Sequence, residues 1–351
     1  MKILISAYTG IGNLIQLTVL VQNIIENFPS ADIMLLGDDK WNVFELIPNS
    51  ISVKKISKKR GLSQASIFYK FFKNNNFDYI IFPFTGTPTI VQTVGYISSN
   101  AFFCQHVDSY SPGKTEFIAI FSKYILRRKA SLVPVLKSRL EVDLYLDLLQ
   151  TINNLPIERN YTSLISYKKS NYNVISKFKI NALYICIQAG AANSGVTPKR
   201  WPASNFNKLI KMLLIEFPNF SIVLLGDKTE KHNIDFENKN VISLEGKTDL
   251  QDLLAVIDNS ELVVCHDSGI MHIANALKTP LVALYGPTDF TRTAPLGEKS
   301  VVVRNNIKCS PCMYGGSLSE SDAYRMCSRH SCMLDLSPRK VFDTVKGLII
   351  N

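Results

Sequence analysis

Leu262-Val263-Val264-Cys265-His266-Asp267-Ser268-Gly269-Ile270-Met271-His272-Ile273-Ala274-Asn275-Ala276-Leu277 opens as a strand and closes as a helix. Five residues of strand length run into Asp267-Ser268-Gly269, and the apolar side chains beyond recur at helical spacing. Asp267 or Ser268 can cap the new helix, and Gly269 keeps the turn free of a side chain. The first N–H groups of that helix, with the positive end of its dipole, then face whatever lies beyond the strand. A second strand, Leu281–Tyr285, and a second backbone-exposing turn, Gly286-Pro287-Thr288-Asp289, follow at once. Strand, helix and strand in this order predict a βαβ unit with parallel strands.

The same alternation extends outward in both directions. Further strands are expected at Lys2–Ser6, Ile33–Leu36, Tyr79–Phe82, Leu183–Gln188, Ile222–Gly226 and Val241–Leu244. Helices are expected at Leu14–Phe28, Asn205–Phe217, Leu250–Asp258 and Ile270–Leu277. Strands rich in Ile, Leu and Val on both faces fit parallel sheets covered by helices on each side. The pattern lapses over Asn153–Asn181, where Asn, Ser, Lys and Tyr dominate, and a linker is expected there. The organisation is therefore a first α/β domain over 1–165, a second over 166–337, and a closing helix over 338–351 that starts at Pro338. Ligands of such sheets bind outside the carboxyl ends of strands, so a cleft between two facing domains is expected.

At 351 residues the chain is long enough for two domains, each with its own core. Hydrophobic residues make up 46% and charged residues 19%, which excludes a disordered chain. No apolar run reaches the ~18 residues of a membrane-spanning helix. The short apolar start, broken by Gly10 and Gly12, reads as a strand rather than a signal peptide, so a cytoplasmic protein is expected. The net charge of +10 is shared evenly between the two halves, with clusters at Lys54–Arg60 and Arg127–Lys129. A solvated surface or an anionic phospholipid surface accounts for it. Zinc-finger spacing, RNP-type aromatics and basic heptads are all missing, which sets nucleic acid aside.

Several stretches could carry chemistry. Tyr8-Thr9-Gly10-Ile11-Gly12-Asn13 joins the first strand to a helix, where glycines admit a ligand to backbone amides or simply make a tight turn. The third glycine of a dinucleotide fingerprint is missing, which argues against a nicotinamide enzyme. After Leu183–Gln188 come Ser194, Thr197, Lys199 and Arg200, hydroxyls and cations that suit a diphosphate. Asp227 or Glu230, beyond the next strand, could take ribose hydroxyls. His272 could add a donor beside the helix start. Seven cysteines divide into Cys104, Cys186 and Cys265 in apolar contexts, and Cys309, Cys312, Cys327 and Cys332 near the carboxyl end. The latter four leave open a structural zinc site, with no catalytic metal expected.

Taken in order, Gly10-Ile11-Gly12-Asn13, Lys199-Arg200-Trp201-Pro202, Gly246-Lys247-Thr248-Asp249-Leu250, Asp267 to Ala276, and Pro280 to Thr288 resemble the family 9 glycosyltransferases. This is the lipopolysaccharide heptosyltransferase family, with the GT-B fold of two facing Rossmann-like domains. The resemblance implies an inverting, metal-independent transfer of a heptose-like sugar from a nucleotide-diphosphate donor, an ADP-sugar, to a lipopolysaccharide or other cell-surface glycan. No cofactor is implied beyond that donor. By position, Ser194, Thr197, Lys199 and Arg200 would hold the diphosphate and Glu230 the ribose. Asp267, Ser268, Gly269, His272, Gly286 and Thr288 would contact donor sugar and phosphate, while Gly10, Gly12 and Asn13 would meet the acceptor. The partners implied are donor and glycolipid acceptor, with peripheral contact at the inner face of the cytoplasmic membrane. One departure matters: many members carry an aspartate, a candidate general base for the acceptor hydroxyl, where this chain has Asn13. An amide cannot accept that proton at neutral pH. Either His106 or Asp108 substitutes, or the chemistry needs little base assistance, or the chain is a sugar-nucleotide or glycan-binding protein without turnover.

Overall fold

The computed structural model describes residues 1–38, 43–59, 61–107, 114–136, 139–152, 158–167, 173–190, 199–227, 234, 238–313, 327 and 329–350. The chain divides into two compact units, Met1–Ser166 and Tyr167–Asn351. In the first unit β1 (Lys2–Ser6), β2 (Asp32–Gly37), β3 (Ser52–Lys55), β4 (Tyr79–Phe82), β5 (Phe102–Val107) and β6 (Ala130–Pro134) form one sheet. Its order is β3-β2-β1-β4-β5-β6, with every pair parallel. The second unit holds β7 (Tyr184–Gln188), β8 (Ser221–Leu225), β9 (Val241–Ser243), β10 (Leu262–His266), β11 (Leu281–Tyr285) and β12 (Ser300–Arg304). Its order, β12-β11-β10-β7-β8-β9, is again wholly parallel and repeats the winding of the first unit. The α/β class of two Rossmann-like units with parallel sheets is thus the one found.

Burial follows the sequence pattern. Strands β7, β8, β10 and β11 are buried at every position, because helices cover both faces of the sheet. Helix Pro338–Ile350 seals the second core with Val341, Phe342 and Val345 packed among residues that include Leu213 and Leu284.

The polar run expected as a linker is fastened at both ends. The Asn160 amide donates to Asn23 Oδ1 at 3.0 Å, and the Leu164 amide to Thr18 Oγ1 at 3.1 Å, along helix Ile11–Asn27. Arg159 bridges Asp143 at 2.6 Å and Asp147 at 2.7 Å on helix Glu141–Gln150. In the second unit the run forms helix Val174–Phe178, capped by Asn173, with Lys177 on Asp252 at 2.5 Å.

Candidate functional site

Winding in the second sheet reverses between β7 and β10, and side chains at their carboxyl ends meet there. Ser268 Oγ donates to Gln188 Oε1 at 2.5 Å across this point. Ser268 makes no side-chain cap on helix Gly269–Leu277. The amides of that helix's first turn receive no cap from Ser268 and can serve a ligand.

Asp267 follows β10 and accepts from Lys199 Nζ at 2.7 Å, with side chains 10% and 30% exposed respectively. Burial favours the neutral acid, yet the charge and hydrogen bond of Lys199, with His272 and the Thr288 hydroxyl, hold the carboxyl below its ordinary range. His272 sits one turn into the helix and is buried. That burial pushes its imidazole down to about 4, against the pull of Asp267. It is thus neutral at physiological pH and able to donate and accept. Lys199 has three donors, so its ammonium can hold Asp267 and a phosphate oxygen together.

Trp201 anchors the segment carrying Lys199 and Arg200. Its ring is 2% exposed, its Nε1–H donates to the Leu336 carbonyl at 2.9 Å, and it packs edge-on to Phe206. Its backbone N–H donates to His266 Nε2 at 2.9 Å, while His266 Nδ1 lies 2.9 Å from the Gly190 carbonyl. An acceptor at Nε2 and a carbonyl at Nδ1 require the proton on Nδ1. Neither His266 nor Gln188 stands out in the sequence as a site residue. Each is a polar side chain at the end of an otherwise apolar strand, and that is the signal that could have found them.

Gly286 has a packing role: a Cβ there would lie 2.5 Å from Met333 Cγ and Sδ. Thr288 pairs with Met313, and the amides of Cys312 and Met313 both donate to the Pro287 carbonyl. Ser310 Oγ donates to the Gly286 carbonyl at 2.7 Å. The cysteine segment thus straps the turn beside Asp267. Cys309 is exposed, Cys312 and Cys327 are half-buried, Cys332 is buried, and all are free thiols. Burial, then the neighbouring thiols, push Cys332 up to about 11. Among the described residues no three His, Cys, Asp or Glu side chains converge as a metal site. Ser194, Thr197 and Glu230, expected on the donor, lie outside the described residues, as does Asp108.

The first unit has a pocket of about 260 Å³ at the equivalent reversal, where β1 meets β4. Tyr8, Phe84, Gly86, Thr87, Gln92 and His106 are among its lining residues. Gly86 is required there: its φ is +79°, and a Cβ would lie 2.2 Å from the Tyr8 carbonyl oxygen. Gly10 precedes helix Ile11–Asn27, with Gly12 and half-buried Asn13 in its first turn. A Cβ on Gly10 would meet open space, so packing does not demand a glycine.

His106 does not fit the role of a general base. Its Nδ1 accepts from the Phe84 amide at 3.1 Å, and its Nε2 lies 2.8 Å from the Leu144 carbonyl. Both nitrogens are occupied within the unit, and burial pushes the imidazole down to about 3. His106 and His272 together set a pH dependence. The unfolded chain takes up these protons near 6.5, the folded chain only near 3 and 4. The contribution of these two histidines is therefore largely present above 6.5 and falls as pH drops through and below it, and the depressed Asp267 adds a loss below 3.8. Unfolding midpoints in denaturant, measured against pH, should show this slope, and His106→Gln should flatten part of it.

The profile of glycosyltransferase family 9 (heptosyltransferase) matches residues 113–321, more than half of the chain. The chain belongs to this family. The structure of E. coli ADP-heptose lps heptosyltransferase II superposes with a TM-score of 0.73 at 21% identity, covering 100% of this chain and 99% of that one. E. coli heptosyltransferase WaaC with ADP gives 0.66 at 15% identity, over 99% and 100%. Lipooligosaccharide heptosyltransferase 2 of Haemophilus influenzae is 29% identical over 159 residues, a match spanning 43% of each chain. The curated relative is thus matched over less than half of its length.

Proposed function

We propose that the chain is a glycosyltransferase that moves a heptose-like sugar from a nucleotide-diphosphate donor onto a lipopolysaccharide or other cell-surface glycan. The reading carries inversion at the transferred carbon, an ADP-sugar as donor and no metal requirement. What carries it is the half-buried Lys199–Asp267 pair, with Thr288 and neutral His272, beside the start of helix Gly269–Leu277, which Ser268 does not cap. The nucleoside diphosphate departs with growing negative charge, which a cation and fixed amide donors stabilise most in the transition state. Arg200, Ser194 and Thr197 would share the diphosphate, Glu230 the ribose, and Gly10, Gly12 and Asn13 the acceptor. Family membership and the ADP complex of WaaC support the donor class. No helix among the described residues is long and apolar enough to cross a membrane. Work at the cytoplasmic face of the inner membrane, on a glycolipid held there, is part of the proposal.

The test is transfer from a panel of nucleotide sugars to a glycolipid acceptor, read as nucleotide release and product mass. Release from an ADP-sugar that requires acceptor is expected, with the product anomer inverted by NMR. No transfer from any donor would refute the reading. Asn13 favours a second one, a sugar-nucleotide-binding protein without turnover. An inactive chain that Asn13→Asp makes active would establish that alternative.

A further inference from the structure

Helix Lys114–Tyr124 turns its apolar stripe outward. Its buried positions are small, Ala119 at 0% and Ser122 at 2% exposure, whereas Phe117 is 69%, Ile120 47%, Phe121 41% and Tyr124 66% exposed. The four large side chains fall at i, i+3, i+4 and i+7, one face of a helix, where a soluble surface helix would carry polar groups. Phe117 and Phe121 stack with ring centroids 6.1 Å apart, so the stripe is a continuous surface. Ile125 and Leu126 extend it, 66% and 44% exposed, and Ile97 of helix Thr89–Ser98 adds a neighbour at 57%.

Cations border this surface. From 114 to 129 the chain carries Lys114, Lys123, Arg127, Arg128 and Lys129, against the single carboxylate of Glu116. Arg128 donates to the Ile97 carbonyl at 2.9 Å and to Asn100 Oδ1 at 3.0 Å, which fixes the basic turn beside the apolar patch. Lys123 Nζ lies 5.5 Å from the centre of the Tyr124 ring. A second copy of the chain on this face would bring like charges together. Aromatic and aliphatic side chains ringed by cations match a different surface, one with an acyl interior and anionic phosphates at its rim.

We propose that this face seats the protein on an anionic phospholipid bilayer, a surface that deepens, and rests on, the reading of the chain as an enzyme of a membrane-held glycolipid. The helix lies in the interface plane, Phe117, Phe121 and Tyr124 at the acyl boundary and the cations on lipid phosphates. Full-length protein mixed with vesicles of phosphatidylcholine, alone or with phosphatidylglycerol, and no glycolipid, tests it by co-sedimentation. Binding to the phosphatidylglycerol vesicles is expected, weakened at high salt by screening. The Phe117→Ser/Phe121→Ser variant should bind about tenfold or more weakly. Arg127→Glu/Lys129→Glu should abolish the preference for the anionic vesicles. These side chains are exposed, so melting temperature and sugar-nucleotide binding should not move. Wild-type protein that ignores the anionic vesicles would overturn the proposal. So would an aromatic variant that binds as well, or a wild-type dimer that this variant makes monomeric without vesicle binding. Transfer to a soluble, deacylated acceptor, measured in parallel, reports on the enzymatic reading alone.

Discussion

Lys199→Ala is expected to slow sugar transfer by about 100-fold or more while the fold persists. The ammonium sits 2.7 Å from Asp267, among groups placed at the carboxyl ends of β10 and β11. Its loss removes the cation proposed for the leaving diphosphate and also strips Asp267 of its largest charge partner. That carboxyl would then be raised towards the neutral acid by its burial. The expected signature is a fall in kcat larger than any rise in KM, since the charge it meets grows along the reaction. Lys199→Arg, which keeps the charge but not the point geometry, should recover part of the rate. Steady-state kinetics on the three proteins decides it, and an alanine variant with full rate would remove Lys199 from the chemistry.

Trp201→Ala is expected to destabilise the second unit by about 3–5 kcal/mol, the range for truncating a large buried aromatic ring. The ring is buried against Phe206 and its Nε1–H holds the Leu336 carbonyl, which loses this donor. A fall in melting temperature on the order of 10 °C follows for a unit of this size. Trp201→Phe should recover much of the packing but not the hydrogen bond to Leu336. Calorimetry on both variants tests this. Because Lys199 lies two residues away, the alanine variant should also lose donor affinity at temperatures where it remains folded.

The strands read correctly from sequence are those whose burial leaves no polar interruption. Lys2–Ser6, Tyr79–Phe82, Leu262–His266 and Leu281–Tyr285 fall at the residues expected. Ser52–Lys55, Ala130–Pro134 and Ser300–Arg304 escaped because they are sheet edges, half solvated and free to carry lysine, proline or arginine. Phe102–Val107 escaped for a different reason. Gln105 and His106 interrupt its apolar run, and their burial makes sense only once Tyr96, Phe84 and Leu144 supply hydrogen bonds from elsewhere.

The site divides in the same way. Asp267, Ser268 and Gly269 are legible because a strand, a turn and a helix start follow one another within a few residues. Ser268 to Gln188 and Trp201 to His266 are not, since each pair joins residues distant in the chain and only the parallel pairing of β7 with β10 brings those strands together. His106 shows the converse error, in which residue type suggested a base and its partners leave no free nitrogen.

The repeated winding of the two sheets bears on how the molecule comes apart. Every strand pairing described lies within one unit, so neither sheet borrows a strand from the other. Two cooperative transitions are therefore allowed, and a single free energy of unfolding need not describe the whole chain. The chain has two tryptophans, Trp41 in the first unit and Trp201 in the second. The sequence of each unit thus holds one tryptophan, and with excitation selective for tryptophan the signal of Trp201 follows the melting of the half that holds Lys199 and Asp267.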